Sequence, residues 1–164
     1  MQADKSKKQY KKEEVVQHIV DQLLLSKTDK YKNTFGKQYH DIIDLIDVKL
    51  DEGYVGVVHF KVKMPKFMVN GFGVGHGGAL ATLTDVLPLF AINGFDQRPV
   101  LSLKLTTEYL NQTPLEQDLL AIVRIHKIGK NAAFTDTTLI NPQNNTRLVK
   151  GTLTISFVEN RPKM

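Results

Sequence analysis

The chain has 164 residues, 41% hydrophobic and 24% charged, with a formal net charge of +5 at pH 7. That length suits one domain with a complete core, and the composition excludes a disordered or fibrous chain. There is no cysteine, which removes disulfides, thiolate nucleophiles and cysteine-ligated zinc and leaves oxygen and nitrogen groups for any catalysis.

Five lysines fall in the first twelve residues, so the basic excess reads as a solvated tail rather than a nucleic-acid surface, and no apolar core of a secretory leader is seen there. From Glu13 to Leu25, Val15, Val16, Ile19, Val20, Leu23 and Leu24 recur at helical spacing. This predicts an amphipathic helix leading into the domain and packing on its edge. Residues 1–30 are thus read as tail and helix, and residues 31–160 as the main domain. Ile42–Leu50 and Tyr54–Met64 are rich in valine and isoleucine and flank the turn Asp51-Glu52-Gly53, the pattern of a hairpin.

Pro65 closes the second strand, and five glycines follow between Gly71 and Gly78. Ala79 to Asn93 is apolar on nearly every face, as in a helix buried all round, with Gly94 as its stop signal. The longest apolar run, Ala79 to Ile92, is interrupted by Asp85 and reads as too short to cross a bilayer as a helix. Four strand-like runs complete the chain: Val100–Leu110, Gln117–Ile128, Asn131–Ile140 and Arg147–Val158. Their separators are Thr113-Pro114, Gly129-Lys130 and Asn141 to Asn145, turn-forming stretches that make successive strands antiparallel neighbours. The class is α+β: an antiparallel sheet wrapped around a long central helix, with an extra N-terminal helix.

The chemistry concentrates between Asn70 and Asp85. Gly73, Gly75 and Gly78 fit G-x-G-x-x-G, but a dinucleotide site needs repeated strand-helix-strand units, and no helical segment follows Gly94. What survives is a glycine-rich loop opening a helix, which aims free backbone N–H groups at whatever sits there. A thioester carbonyl suits that position, because its oxygen gains negative charge on attack, and Gly77 is the candidate donor. Asp85 lies about two turns into the apolar helix, beyond any capping position. It must find a polar partner, such as Thr82 or Thr84, or an interface, or serve as base or nucleophile.

Asn-x-x-Gly-x-x-His-Gly-Gly at Asn70 to Gly78, followed by an apolar helix with an aspartate, resembles the hot-dog-fold thioesterases of the phenylacetate-degradation type and their animal relatives acting on acyl-CoA. Thr107-Glu-Tyr-Leu-Asn, Gly129-Lys130 and Ala133-Phe-Thr extend the resemblance, which runs over roughly Lys66 to Val158. It implies that Asp85, supplied across a subunit interface, acts as general base or nucleophile, and that Gly77 polarises the thioester carbonyl. Asn70 would orient water or carbonyl, Ser102 would hold the water near the aspartate, and His76 and Gly78 would support substrate binding. Lys130 has two readings, a solvated turn lysine or a contact to the phosphates of coenzyme A.

The resemblance implies an acyl-CoA substrate, no metal or redox cofactor, and a homodimer or homotetramer in the mitochondrial matrix or cytoplasm. Membrane spanning and nucleic-acid binding are not expected. Pro88 departs from the family pattern: in a helix interior it removes a backbone hydrogen bond and clashes with the Thr84 carbonyl, so it predicts a displaced aspartate. Pro88 and the added N-terminal helix keep open a different class of function, a structural or acyl-CoA-binding subunit of a larger assembly. An acyl-CoA dehydratase ranks lower, because the histidine and acidic pair of that chemistry are not evident. By alternation, Ser102 is expected to share a strand face with Lys104, Thr106 and Glu108.

Overall fold

The computed structural model describes residues 9–50 and 53–158. The basic tail up to residue 8 and most of the predicted turn at Asp51-Glu52 lie outside the described residues. Helix α1 spans Lys12–Ser26, a short helix α2 spans Lys37–His40, and the long helix α3 spans Gly77–Phe95. Six strands accompany them: β1 (Ile43–Lys49), β2 (Gly56–Lys63), β3 (Val100–Tyr109), β4 (Asp118–Ile128), β5 (Ala132–Asn141) and β6 (Thr146–Phe157). They form one antiparallel sheet in the order β1-β2-β4-β5-β6-β3. Helix α3 packs across β3 to β6.

The core is the layer between α3 and the sheet. Leu83, Leu87 and Ile92 on the helix and Phe60, Ile125, Leu139 and Leu153 on the strands are almost wholly buried. Each such side chain contributes about 1.5–3 kcal/mol by leaving water. Helix α3 is 19 residues long, and by length and composition it could cross a membrane. It is longer than the sequence suggested, and most of it is buried inside the fold.

Two expectations need correction, strand pairing and the role of Gly94. The strand after α3 does not pair with its successor: β3 pairs with β6 at the sheet edge, and β4 pairs with β2. The Thr113-Pro114 segment is therefore a crossover and not a hairpin turn. It packs on the glycine loop, where Gly75 N donates to the Thr113 carbonyl at 2.8 Å. Gly94 does not stop α3 but lies inside it, where a Cβ would come within 2.7 Å of Ile19 and 2.9 Å of Val15. Its role is the close crossing of α1 and α3, which buries Val15, Ile19 and Leu23. Pro88 does not break α3, which runs unbroken through it. The packed layer around the buried proline outweighs one missing backbone bond.

Candidate active site

The glycine loop is a compact turn built by Asn70. Its backbone N donates to Val74 O at 2.8 Å, and its carboxamide Oδ1 accepts from Phe72 N at 2.8 Å and Val74 N at 3.3 Å. Gly73, at φ +78°, supplies the left-handed residue the turn requires. The Asn70 oxygen is thus committed to the loop, so any contact with water or substrate falls to its Nδ2 group.

The loop delivers the chain to the start of α3. His76 is the N-cap, in extended conformation, and its Nδ1 accepts from Gly78 N at 2.9 Å. One of the free donors of the helix start is thereby satisfied within the chain. Gly77 is the first helical residue, and its N–H makes no hydrogen bond among the described residues. That N–H stands at the positive end of the helix dipole.

Asp85, half-buried, lies two turns further on. Its partner is not a helix hydroxyl: Thr82 Oγ1 donates to the Gly78 carbonyl and Thr84 Oγ1 to the Ala81 carbonyl. Instead Ser102 Oγ donates to Asp85 Oδ1 at 2.5 Å. Alternation along β3 placed Ser102 on the wrong face. The register shifts between Ser102 and Lys104, leaving Leu103 as the extra residue of a β-bulge. Across the bulge, Ser102 pairs with buried Ile155, just as Leu105, Thr107 and Tyr109 pair with Leu153, Gly151 and Val149. Directly opposed residues point to the same side, so all four face α3 and not the side of Lys104, Thr106 and Glu108.

Strand β3 is consequently stitched to α3 at three levels. Tyr109 Oη donates to the Gly77 carbonyl at 2.9 Å, Thr107 and Thr84 hydroxyls meet at 3.0 Å, and Ser102 holds Asp85. Tyr109 and Thr107 were not singled out as site residues from the sequence. The bulge hides the face they share with Ser102.

Lys130 lies apart. It is exposed in the β4–β5 turn, and that turn is pinned by Arg98, which donates to the carbonyls of Lys130 at 2.5 Å and Gly129 at 3.1 Å. Arg98 follows the C-terminal end of α3, so within one chain Lys130 sits about 28 Å along the helix from Gly77. A cavity of about 590 Å³ lies at that same far end, lined by Tyr10, His18, Phe95 and Asp96 among others. Among the described residues, no cluster of three His, Asp or Glu side chains is arranged to hold a metal ion.

The arrangement offers a carboxylate oriented by one hydroxyl, leaving Oδ2 for a water molecule, and an unpaired backbone donor at a helix start. The two are eight residues apart on one helix, about 12 Å along its axis. That separation is too great for both to act on one carbonyl group, which would need each within about 3 Å of the reacting atoms.

Comparisons with known proteins bear on the family and the fold. The sequence profile of the thioesterase superfamily matches residues 72–147. An esterase-like protein of Caenorhabditis elegans is 30% identical over 95 residues, which cover 57% of this chain and 56% of that protein. Human acyl-coenzyme A thioesterase 13 is 28% identical over 97 residues, covering 58% of this chain and 69% of the enzyme. The match thus spans little more than half the length of the worm relative. Among solved structures, zebrafish thioesterase superfamily member 2 superposes with a TM-score of 0.70 at 22% identity, covering 85% of this chain and 96% of that one. The E. coli PaaI protein from the phenylacetic acid degradation operon superposes with a TM-score of 0.69 at 20% identity, covering 91% and 96%. Over residues 72–147 the chain matches the thioesterase superfamily, and its fold is the hot-dog fold of that superfamily.

Proposed function

We propose that the protein hydrolyses an acyl-CoA thioester, with each active site completed by two copies of the chain. The observation that carries this reading is the pairing of a Ser102-held Asp85 with an unpaired Gly77 N–H on a helix too long for the two to meet within one chain. The name of the human relative, an acyl-coenzyme A thioesterase, supports the substrate class.

The chemistry follows from the geometry. Asp85 takes a proton from water, and the water oxygen bonds to the thioester carbon. The carbonyl oxygen, gaining charge, is met by the partner copy's helix start through the N–H that corresponds to Gly77. The carbon–sulfur bond then breaks, releasing the acid, and the sulfur leaves as thiol on taking up the proton. The reaction written this way calls on no metal or redox group.

The contrast between the two edges of the sheet supports a second copy paired along β3. Strand β1 is guarded by charge: Lys12 pairs with Asp47 at 2.7 Å, and Lys27 and Lys61 reach Asp44 at 3.1 and 3.5 Å. Strand β3, by contrast, exposes Leu101 and Leu103 by 61% and 64% beside a free row of backbone donors and acceptors. An edge strand of ten residues with two exposed leucines invites pairing. With α3 unbroken at Pro88, the non-catalytic subunit reading keeps only the added N-terminal helix α1 in its favour.

The test is thiol release from short, long and aromatic acyl-CoAs by the wild type and Asp85→Asn. Turnover that disappears in the variant is expected; retained turnover in Asp85→Asn, or none by the wild type across the panel, contradicts the reading.

A further inference from the structure

The peptide that joins Gly77 to Gly78 is clamped at both ends. Its carbonyl accepts from Tyr109 Oη at 2.9 Å, and its N–H donates to His76 Nδ1 at 2.9 Å. The Tyr109 ring also lies against Gly77, with Cζ 3.4 Å from where a Cβ would stand. Helix starts fray, and two successive glycines are the residues least able to hold a fixed backbone direction unaided. The Gly77 N–H belongs to the preceding peptide, whose His76 carbonyl accepts from Leu80 N at 3.0 Å and which meets the clamped peptide at the Gly77 Cα; its direction decides whether a developing oxyanion is met at hydrogen-bond distance.

We propose that Tyr109 is a positioning residue of the thioesterase reaction: its hydroxyl fixes the Gly77–Gly78 peptide and so holds the Gly77 N–H aimed at the thioester oxygen. This rests on the hydrolase reading above. Tyr109 does not touch the reacting atoms in this role. It acts through Gly77, at the opposite end of the strand from Ser102. One strand therefore aligns the carboxylate for one active site and the oxyanion donor for the other.

The test uses Tyr109→Phe, which removes only the hydroxyl, and Gly77→Pro, which removes the N–H and puts ring carbons in its place, the Cβ in ordinary contact with the Tyr109 ring at 3.4 Å. Proline is tolerated at the first helical position, and His76 before it already has the extended backbone proline requires. In Tyr109→Phe, kcat is expected to fall about three- to tenfold, the effect of one neutral hydrogen bond, with KM unchanged. In Gly77→Pro the fall is about 10²- to 10³-fold. Adding Tyr109→Phe to Gly77→Pro is expected to cost nothing more, because the hydroxyl works only through the donor already lost. A purely structural tyrosine would instead lower both backgrounds alike, and that result overturns the proposal, as does wild-type kcat in Tyr109→Phe. If Asp85→Asn keeps its turnover, the hydrolase reading fails by itself, visibly apart from either outcome at Tyr109.

Discussion

Ser102 reaches Asp85 because Leu103 is an extra residue in its strand. The bulge turns Ser102 toward the helix, where its hydroxyl donates to Asp85 at 2.5 Å. Ser102→Ala is expected to lower kcat about tenfold, the loss of one charge-assisted hydrogen bond. Deleting Leu103 leaves Ser102 two positions before Leu105, on the helix-facing side by plain alternation, so the deletion variant is expected to keep the Ser102–Asp85 contact and to be faster than Ser102→Ala. Steady-state kinetics of the two variants checks this, and a deletion variant as slow as Ser102→Ala would contradict the assignment of Leu103 as the extra residue.

Asp85→Asn retains the size of the side chain and an oxygen to accept from Ser102, but not the basicity. The expected loss is about 10²- to 10⁴-fold in kcat, the contribution of a positioned general base. Rapid-quench measurement of the first turnover distinguishes a slowed chemical step from slowed product release.

Gly151 on β6 lies under Thr84, and a Cβ there would stand 2.5 Å from Thr84 Cβ. Thr84 is fully buried one residue before Asp85, and its hydroxyl bonds Thr107. Gly151→Ala is expected to destabilise the fold by about 1–3 kcal/mol, the usual cost of overpacking. Urea denaturation measures it. Activity is expected to fall as well, because Thr84 can move only by shifting the turn that carries Asp85.

His40 packs edge-on against Phe90 with ring centres 5.2 Å apart. Burial pushes its imidazole below the ordinary value of 6.5, and the Ser26 backbone and the Asp41 carboxylate offset only part of this. Just below that value the folded state binds fewer protons than the unfolded state, so stability rises with pH through the window. Stability is therefore lost as pH falls from 6.5 through the lowered folded value. Between about pH 7.5 and about pH 5 the wild type is expected to lose more of its urea midpoint than His40→Gln does. Equal losses would show that His40 is not the group responsible.

Much of this was legible in the sequence. The period-two runs gave all six strands to within a few residues, and the apolar stretch around Asp85 gave the buried helix. Local pattern could not reveal pairing order: Thr113-Pro114 has turn chemistry, yet the chain there crosses past β6 and β5 to the interior strand β4 and lays Thr113 on Gly75. Nor could it reveal the bulge at Leu103, since one inserted residue leaves no compositional mark. Gly77 and Asp85 stand out by the glycine-rich helix start and by a carboxylate set in an apolar helix, whereas Ser102 enters only through the family resemblance. Tyr109 and Thr107 were passed over because alternation, broken at Leu103, assigned Ser102 to the opposite face. Gly94 was read as a helix stop because a packing contact with Ile19, distant in sequence, looks the same there as a cap.

The division of the site between two copies is tested most directly by mixing two inactive variants, Asp85→Asn and Gly77→Pro, and allowing their subunits to exchange. In a mixed dimer one site carries both lesions and the other carries neither. Random re-pairing is expected to restore about a quarter of the wild-type rate, since half the dimers are mixed and each has one intact site of two. Activity that stays at the level of the separate variants, although exchange is verified by mass, would contradict a site shared between copies.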